Sequence, residues 1–234
     1  MIVSIHQPNF MPYLGFFDKI LKSNIFIIYD DAQYTKENFQ NRNKINNHGK
    51  ELFLTIPVNK DSWHFPIKEV ITNKSTKNLV YKKHLKTIET VYQNCPYFSK
   101  YISLIHRHYE IYLESDKLLE SNIYTIKTVL DIFGWKGQIF YSSQLNLTST
   151  DATEKLVEMI KKVNGTHYLC GNSGFNYMNI NLFQDSNITI IPQNFNHPVY
   201  YSKHTFLKNM CIYDYLFNND NDTSVFQNNL VLNI

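Results

Sequence analysis

Cysteine is scarce in this chain: Cys95, Cys170 and Cys211 are far apart, odd in number and free of any C-x-x-C spacing. That argues against a disulfide framework or a structural zinc site and for a reducing compartment. Long apolar runs are missing as well, none approaching the roughly eighteen residues of a membrane span. The opening Met1-Ile2-Val3-Ser4-Ile5-His6-Gln7-Pro8 lacks the basic start and long apolar run of a secretory signal. A cytoplasmic protein without membrane insertion is expected. Charge of one sign is also in short supply. A formal +3 over 234 residues offers no polybasic field for a nucleic acid or an anionic membrane, although it leaves room for a local phosphate pocket. No internal repeat is visible. Gly171-Asn172-Ser173-Gly174 has neither the Walker lysine nor the dinucleotide glycine spacing.

What is present is enough to fold. Hydrophobic residues at 43% and charged residues at 18% exclude a disordered chain, and the length suits one α/β domain with an added helical layer. The 17 Tyr and 16 Phe serve cores, sugar-stacking surfaces and interfaces alike, so composition does not choose among them.

The pattern along the chain gives a fold class. Ile2 to Ile5, a helix opened by Pro12 with Tyr13, Phe17, Ile20 and Leu21 in helical spacing, and the continuous run Ile25 to Tyr29 make a βαβ unit. Leu52 to Ile56 and Ile67 to Ile71 read as strands of a hairpin or sheet extension. From about 77 to 134 the pattern is helical, broken near Pro96 and Ser115 into about three helices. Strands resume near Ile139 to Tyr141, Thr166 to Cys170 and Ile188 to Ile191, with a helix capped around Asp151. The expectation is an α/β fold with a mainly parallel sheet built from βαβ units, a hairpin extension and a helical insert. All of it forms one domain over 1–234, with a loosely ordered tail from about 220.

Parallel strands deliver the residues that follow them to one sheet edge, where open α/β sheets bind ligands. That places His6 and Gln7 near Asp30, Asp31 and Gln33, with the free N–H groups of Pro12 to Gly15 suited to an anion. His6 is the candidate general acid/base, oriented by Asp30 or Asp31; otherwise His6 is held by local backbone and the aspartates cap a turn. Asn41-Arg42-Asn43-Lys44-Ile45 is a cluster of donors, in which Arg42 can grip phosphate or carboxylate through two parallel bonds and Lys44 can add a charge; the alternative is a solvated loop. Ser173 and His197 are further candidates for the same edge. Lys82-Lys83-His84 and His106-Arg107-His108 read as solvated helix faces, and Asp220-Asn221-Asp222 as part of the tail. No metal site is expected, and no cofactor is readable.

Ile5-His6-Gln7-Pro8-Asn9-Phe10-Met11-Pro12-Tyr13-Leu14-Gly15-Phe16-Phe17-Asp18-Lys19-Ile20 resembles the opening of the WbqC-like family. Asp30-Asp31-Ala32-Gln33-Tyr34, Asn41 to Ile45, Leu54-Thr55-Ile56-Pro57-Val58, Cys95-Pro96-Tyr97-Phe98 and His197-Pro198-Val199-Tyr200 extend the resemblance in order along the chain. Around Tyr177-Met178-Asn179 the chain departs from the family's Tyr-Leu-Asp. The resemblance implies a bacterial protein of O-antigen or other surface-polysaccharide (lipopolysaccharide) gene clusters. It implies a transferase passing glycine or another acyl group from an activated donor to a nucleotide-linked amino sugar. His6 with Asp30 or Asp31 would take the ammonium proton, and Arg42, Asn43 or backbone N–H groups would face the oxyanion, with Gln7, Gln33, Asn41, Lys44, Ser173 and His197 about the substrate. A fainter likeness to the nucleotidyl-transfer fold, in which His6 and Gly15 echo a strand–helix junction, suggests an ATP-dependent amide ligase instead. A metal-assisted hydrolase using His6, Asp30, Asp31 and His197, and a non-catalytic carbohydrate-binding protein, are the other classes the residues allow. The sequence does not fix the number of chains, and a homo-oligomer is compatible with it.

Overall fold

The computed structural model describes residues 1–171, 174 and 178–227. Five short apolar runs form one sheet: β1 Ile2–His6, β2 Ile25–Ile28, β5 Gln138–Tyr141, β6 His167–Cys170 and β7 Thr189–Pro192, in the order β5-β2-β1-β6-β7. Every pairing is parallel, with Val3 opposite Ile25 and His6 opposite Ile28 between β1 and β2, and Ile2 opposite His167 between β1 and β6. From β1 the chain steps outward through β2 to β5, then crosses back and steps through β6 to β7 on the other side. The order therefore reverses between β1 and β6, and their carboxyl ends flank a crevice of the kind doubly wound sheets use for ligands.

Helices cover both faces, because alternate residues of each strand are apolar in both directions. Val3, Ile5, Ile25 and Ile27 pack against α5 Ala152–Lys162 and Phe183 of α6 Ile180–Asp185. Phe26 and Ile28 face α1 Leu14–Leu21, and that cluster continues into α2 Lys77–Tyr92, α3 Phe98–Glu114, α4 Leu118–Ile132, α7 Ile212–Asn219 and Phe226 of α8 Ser224–Gln227. Asp151 caps α5 as its sequence position predicts, accepting from the N–H groups of Thr153 at 2.8 Å and Glu154 at 3.0 Å. Among the described residues no helix is long and apolar enough to cross a membrane.

Four expectations are revised. The hairpin pairs β3 Arg42–Asn47 with β4 Lys50–Thr55, joined at His48 (φ 53°) and Gly49 (φ 84°), the two positive φ values that a tight twisted hairpin requires. Ile67–Glu69, expected as a strand, is instead a helical turn. Pro66 before it supplies no N–H, and Ile67 and Val70, three residues apart, are both fully buried as in a three-residue turn. The helix histidines divide: Lys82, Lys83 and Arg107 are exposed as expected, but His84 and His108 are buried. His84 bonds Tyr109 Oη at 2.7 Å and His108 bonds Thr125 Oγ1 at 2.9 Å, and burial pushes their imidazoles down to about 4 and about 3. The start of the expected tail is packed: Asp220 binds Lys100 Nζ at 2.5 Å, and Phe226 lies against Phe133.

Candidate functional site

His6 ends β1 on the α1 side of the sheet, its ring edge-on to Phe16 with centroids 4.8 Å apart. Nδ1 lies 2.8 Å from the carbonyl oxygen of Gln7. A carbonyl can only accept, so Nδ1 carries the proton and Nε2 keeps its lone pair, with no hydrogen-bond partner among the described residues. Burial, then the charge of Lys19, push the imidazole down to about 3, with the Gln7 bond working the other way. His6 is therefore neutral at physiological pH, and the backbone of Gln7, not the Asp30 or Asp31 expected from sequence, orients it.

The aspartates meet β5 rather than His6. Asp30 accepts from Ser142 Oγ at 3.0 Å, Ser143 N at 3.0 Å and Ser143 Oγ at 2.7 Å, while Asp31 shares the Ser142 hydroxyl. β2 has β1 on one side and β5 on the other, and the turn after Ile28 sends both carboxylates toward the β5 end, where unpaired serine donors wait. There they tie the end of β2 to the end of β5. Asp30→Ala is expected to destabilise the protein by roughly 2–3 kcal/mol through those orphaned donors, leaving ligand binding of the folded fraction unchanged; urea denaturation beside a titration measures both.

The donor cluster lies apart from His6, each member with partners of its own. Alternation along β3 turns Asn43 inward, where its amide donates to the carbonyls of Phe10 (3.2 Å) and Met11 (2.8 Å), and Asn41 donates to Ile56 O at 2.8 Å. Arg42 and Lys44 point the other way. Arg42 binds Glu37 O and lies over the Phe53 ring, and Lys44 pairs with Glu51 at 2.8 Å. Gln33 is exposed beside Pro66. His197 is held by Pro198 O at 2.8 Å and accepts from Asn209 N at 3.1 Å. Ser173 lies outside the described residues. His6 and His197 thus have partners of their own while Asp30 and Asp31 share Ser142, and among the described residues no group of three or more His, Cys, Asp or Glu could hold a metal ion.

The crevice between β1 and β6 holds a different set. A cavity of about 430 Å³ is lined by His6, Gln7, Lys19, Tyr29, Tyr168 and Cys170, among others, and a second of about 270 Å³ by His6, Tyr13, Lys19, Gly171, Gln193 and Phe195, among others. Among the described residues, Gln7 is the one expected substrate residue beside His6 that lines it, its side-chain oxygen accepting from Gln40 at 2.7 Å. Lys19 is the residue sequence reasoning missed. It is 5% exposed, its Nζ donates to Ile5 O at 2.9 Å, and burial pushes the amine down to about 8, with Cys170 opposing. Its neighbour Asp18 is already engaged, 2.7 Å from Lys22 Nζ and 2.9 Å from Gln193 Nε2. A signal was there to be read: with Leu14, Phe16, Phe17, Ile20 and Leu21, α1 is apolar on every side and leaves no solvent face for the charges between them. The crevice can thus hold an anion at Lys19 and receive a proton or N–H at His6.

Comparison with known proteins adds a family. The uncharacterized protein Rv1507c of Mycobacterium tuberculosis (strain ATCC 25618 / H37Rv) is 28% identical over 191 residues, covering 80% of each chain. No solved structure matches significantly. The model of the WbqC-like protein family matches residues 7–225, which takes in Gln7 just after β1, Lys19, the hairpin, the helical insert and α7; the chain belongs to the WbqC-like protein family.

Proposed function

We propose that the protein is a transferase that forms an amide on a nucleotide-linked amino sugar, taking an acyl or aminoacyl group from an activated donor for bacterial surface-polysaccharide synthesis. The observation that carries the reading is the pairing, in one crevice at the sheet's switch point, of a buried cation, Lys19, with a neutral imidazole whose Nε2 is open. In such a reaction the sugar amine attacks the acyl carbonyl, a C–N bond forms, the bond to the donor's leaving group breaks, and the amine loses a proton. His6 Nε2 suits that N–H: the nitrogen becomes strongly acidic once bonded to the acyl carbon, so an imidazole of low basicity can accept from it. Lys19 suits the substrate's anionic portion, which the sequence alone assigns to Arg42. The three buried free thiols fit a reducing, cytoplasmic setting.

The strand order favours a second reading, an ATP-dependent amide ligase, because the crevice of a doubly wound sheet suits nucleotide phosphates. One experiment tests both. A pool of nucleotide-linked amino sugars is incubated with the protein and, in separate arms, acyl thioesters, aminoacyl-tRNA, or ATP with free acids, and analysed by mass spectrometry. An amide product with a thioester or tRNA supports transfer, and one requiring ATP with release of AMP or ADP supports ligation. No product in any arm overturns both.

A further inference from the structure

Lys19 stands where the two cavities meet. His6, Lys19 and Gly171 line both, so their side chains and backbone form the waist of one bilobed space. An ammonium has three donors, and Ile5 O at 2.9 Å is the one hydrogen-bond acceptor Lys19 has among the described residues. Its adjacent carboxylate, Asp18, is committed to Lys22 and Gln193. A buried cation left without an anionic partner is costly, and here the missing counter-charge can only come from outside the described chain. The lobes differ. One is walled by Gln7, Tyr29, Asn38 and Tyr168, amide and phenol groups matched to a sugar's hydroxyls. The other is walled by Tyr13, Phe16, Phe195 and Gln193, with Tyr13 and Phe195 edge to face at 6.2 Å. Gly15 lets those rings close in, since a Cβ there would lie 2.5 Å from Tyr13 and 2.8 Å from Phe195.

We propose that Lys19 seats an internal phosphate linkage, a diphosphate whose planar-ring half occupies the aromatic lobe and whose other half occupies the polar lobe. This rests on the crevice being the substrate site and specifies what it binds. A terminal anion, such as a free carboxylate, would need one lobe only; an anion at the waist has a substituent on each side. The titratable groups that line the two cavities with Lys19 are His6 from β1, Tyr29 after β2, Tyr13 before α1, and Tyr168 and Cys170 from β6. None of them is a carboxylate, and Asp18 beside Lys19 on α1 is held by Lys22 and Gln193. The Lys19 amine, held down to about 8 by burial, is raised again by a bound anion, so binding above that pH takes up a proton and weakens as pH rises.

Calorimetry of the full wild-type chain with inorganic pyrophosphate, uridine diphosphate, adenosine diphosphate and uridine diphosphate N-acetylglucosamine tests this, in two buffers of different ionisation heat at pH 7 to 9, with the proton count read on adenosine diphosphate at the upper end, where its terminal phosphate is fully ionised. Expected are nucleotide diphosphates binding at least about tenfold more tightly than pyrophosphate, proton uptake approaching one at pH 9, and roughly ten- to hundredfold weaker binding in Lys19→Met, the loss of a charge-assisted contact. Phe195→Ala, at the rim of the aromatic lobe, should weaken nucleotides and spare pyrophosphate. Preference for the uridine compounds supports the seat with a sugar nucleotide as source, and preference for adenosine diphosphate supports it with ATP. Binding without proton uptake, or pyrophosphate equal to the nucleotides, overturns the proposal; the wild-type measurements decide it even if Lys19→Met does not fold. Proton-linked binding without amide product would remove the transfer reading and leave the seat, and amide product with pH-independent binding would do the reverse.

Discussion

Asp214→Ala is expected to lower the unfolding free energy by about 3–5 kcal/mol, two buried hydroxyl donors losing their acceptor and a buried network its centre. Asp214, in α7, is 1% exposed and accepts from Tyr92 Oη and Tyr200 Oη, each at 2.7 Å. Tyr92 Oη in turn accepts from Asn46 N at 3.1 Å, so one carboxylate ties α7 to α2, to the segment before α7 and to the β3–β4 hairpin. A loss of that size is a large fraction of the roughly 5–15 kcal/mol by which domains are stable. Tyr200→Phe, which removes one donor and leaves Tyr92 in place, is expected to cost about 1 kcal/mol. Urea unfolding followed by circular dichroism measures both, and an Asp214→Ala midpoint equal to wild type would mean the hydroxyls find other acceptors.

The same carboxyl gives a pH test. Burial raises it above the ordinary aspartate value, with the Tyr92 and Tyr200 bonds opposing. A carboxyl raised on folding contributes stability that is full below its unfolded value and lost as pH rises through its folded value. Asp214→Asn has no such term, so its deficit relative to wild type is expected to shrink as pH rises through that window. A deficit that grows instead would show the carboxylate to be favoured by the fold.

How far the sequence could be read depended on whether a residue's role is local. Ile25 to Ile28 form a strand for the reason they look like one, a continuous β-branched and aromatic run covered on both faces. Asp151 caps its helix through neighbours two and three residues away. The parallel arrangement that brings His6 and Asp30 to one edge follows from the βαβ pattern too. Which way each side chain then turns does not, because it is decided by groups distant in sequence: Ser142 and Ser143, more than a hundred residues on, claim Asp30. β3 was hidden because its buried positions include Asn43 and, on the opposite face, Asn46, whose hydrogen bonds to Met11 and Thr205 substitute for apolar burial. Lys19 was hidden because a lone lysine on a helix ordinarily reads as solvated, and only the all-round apolar character of α1 argues otherwise.

His6→Asn is expected to reduce amide-forming turnover by about 10²–10³-fold, the scale of losing a positioned proton acceptor, while the fold persists. Asparagine keeps an N–H that can reach the Gln7 carbonyl, the bond His6 makes through Nδ1, but has nothing at the Nε2 position. Loss of the edge contact with Phe16 is worth about 0.5–1.5 kcal/mol at most. The pH profile separates a chemical role from a structural one. With its imidazole pushed down to about 3, His6 stays neutral from pH 5 to pH 9, so the wild-type rate should show no limb at histidine's ordinary 6.5. In kcat/KM, which reports the free protein, the limb falls instead near 8, where Lys19 loses its proton and the anion its partner. Stability carries the complementary signature: a histidine lowered on folding contributes stability present above its unfolded value and lost as pH falls from about 6.5 toward 3, and His6→Asn should lack that loss. An unchanged kcat in the variant, or a wild-type limb near 6.5 that the variant abolishes, would remove His6 as the neutral acceptor.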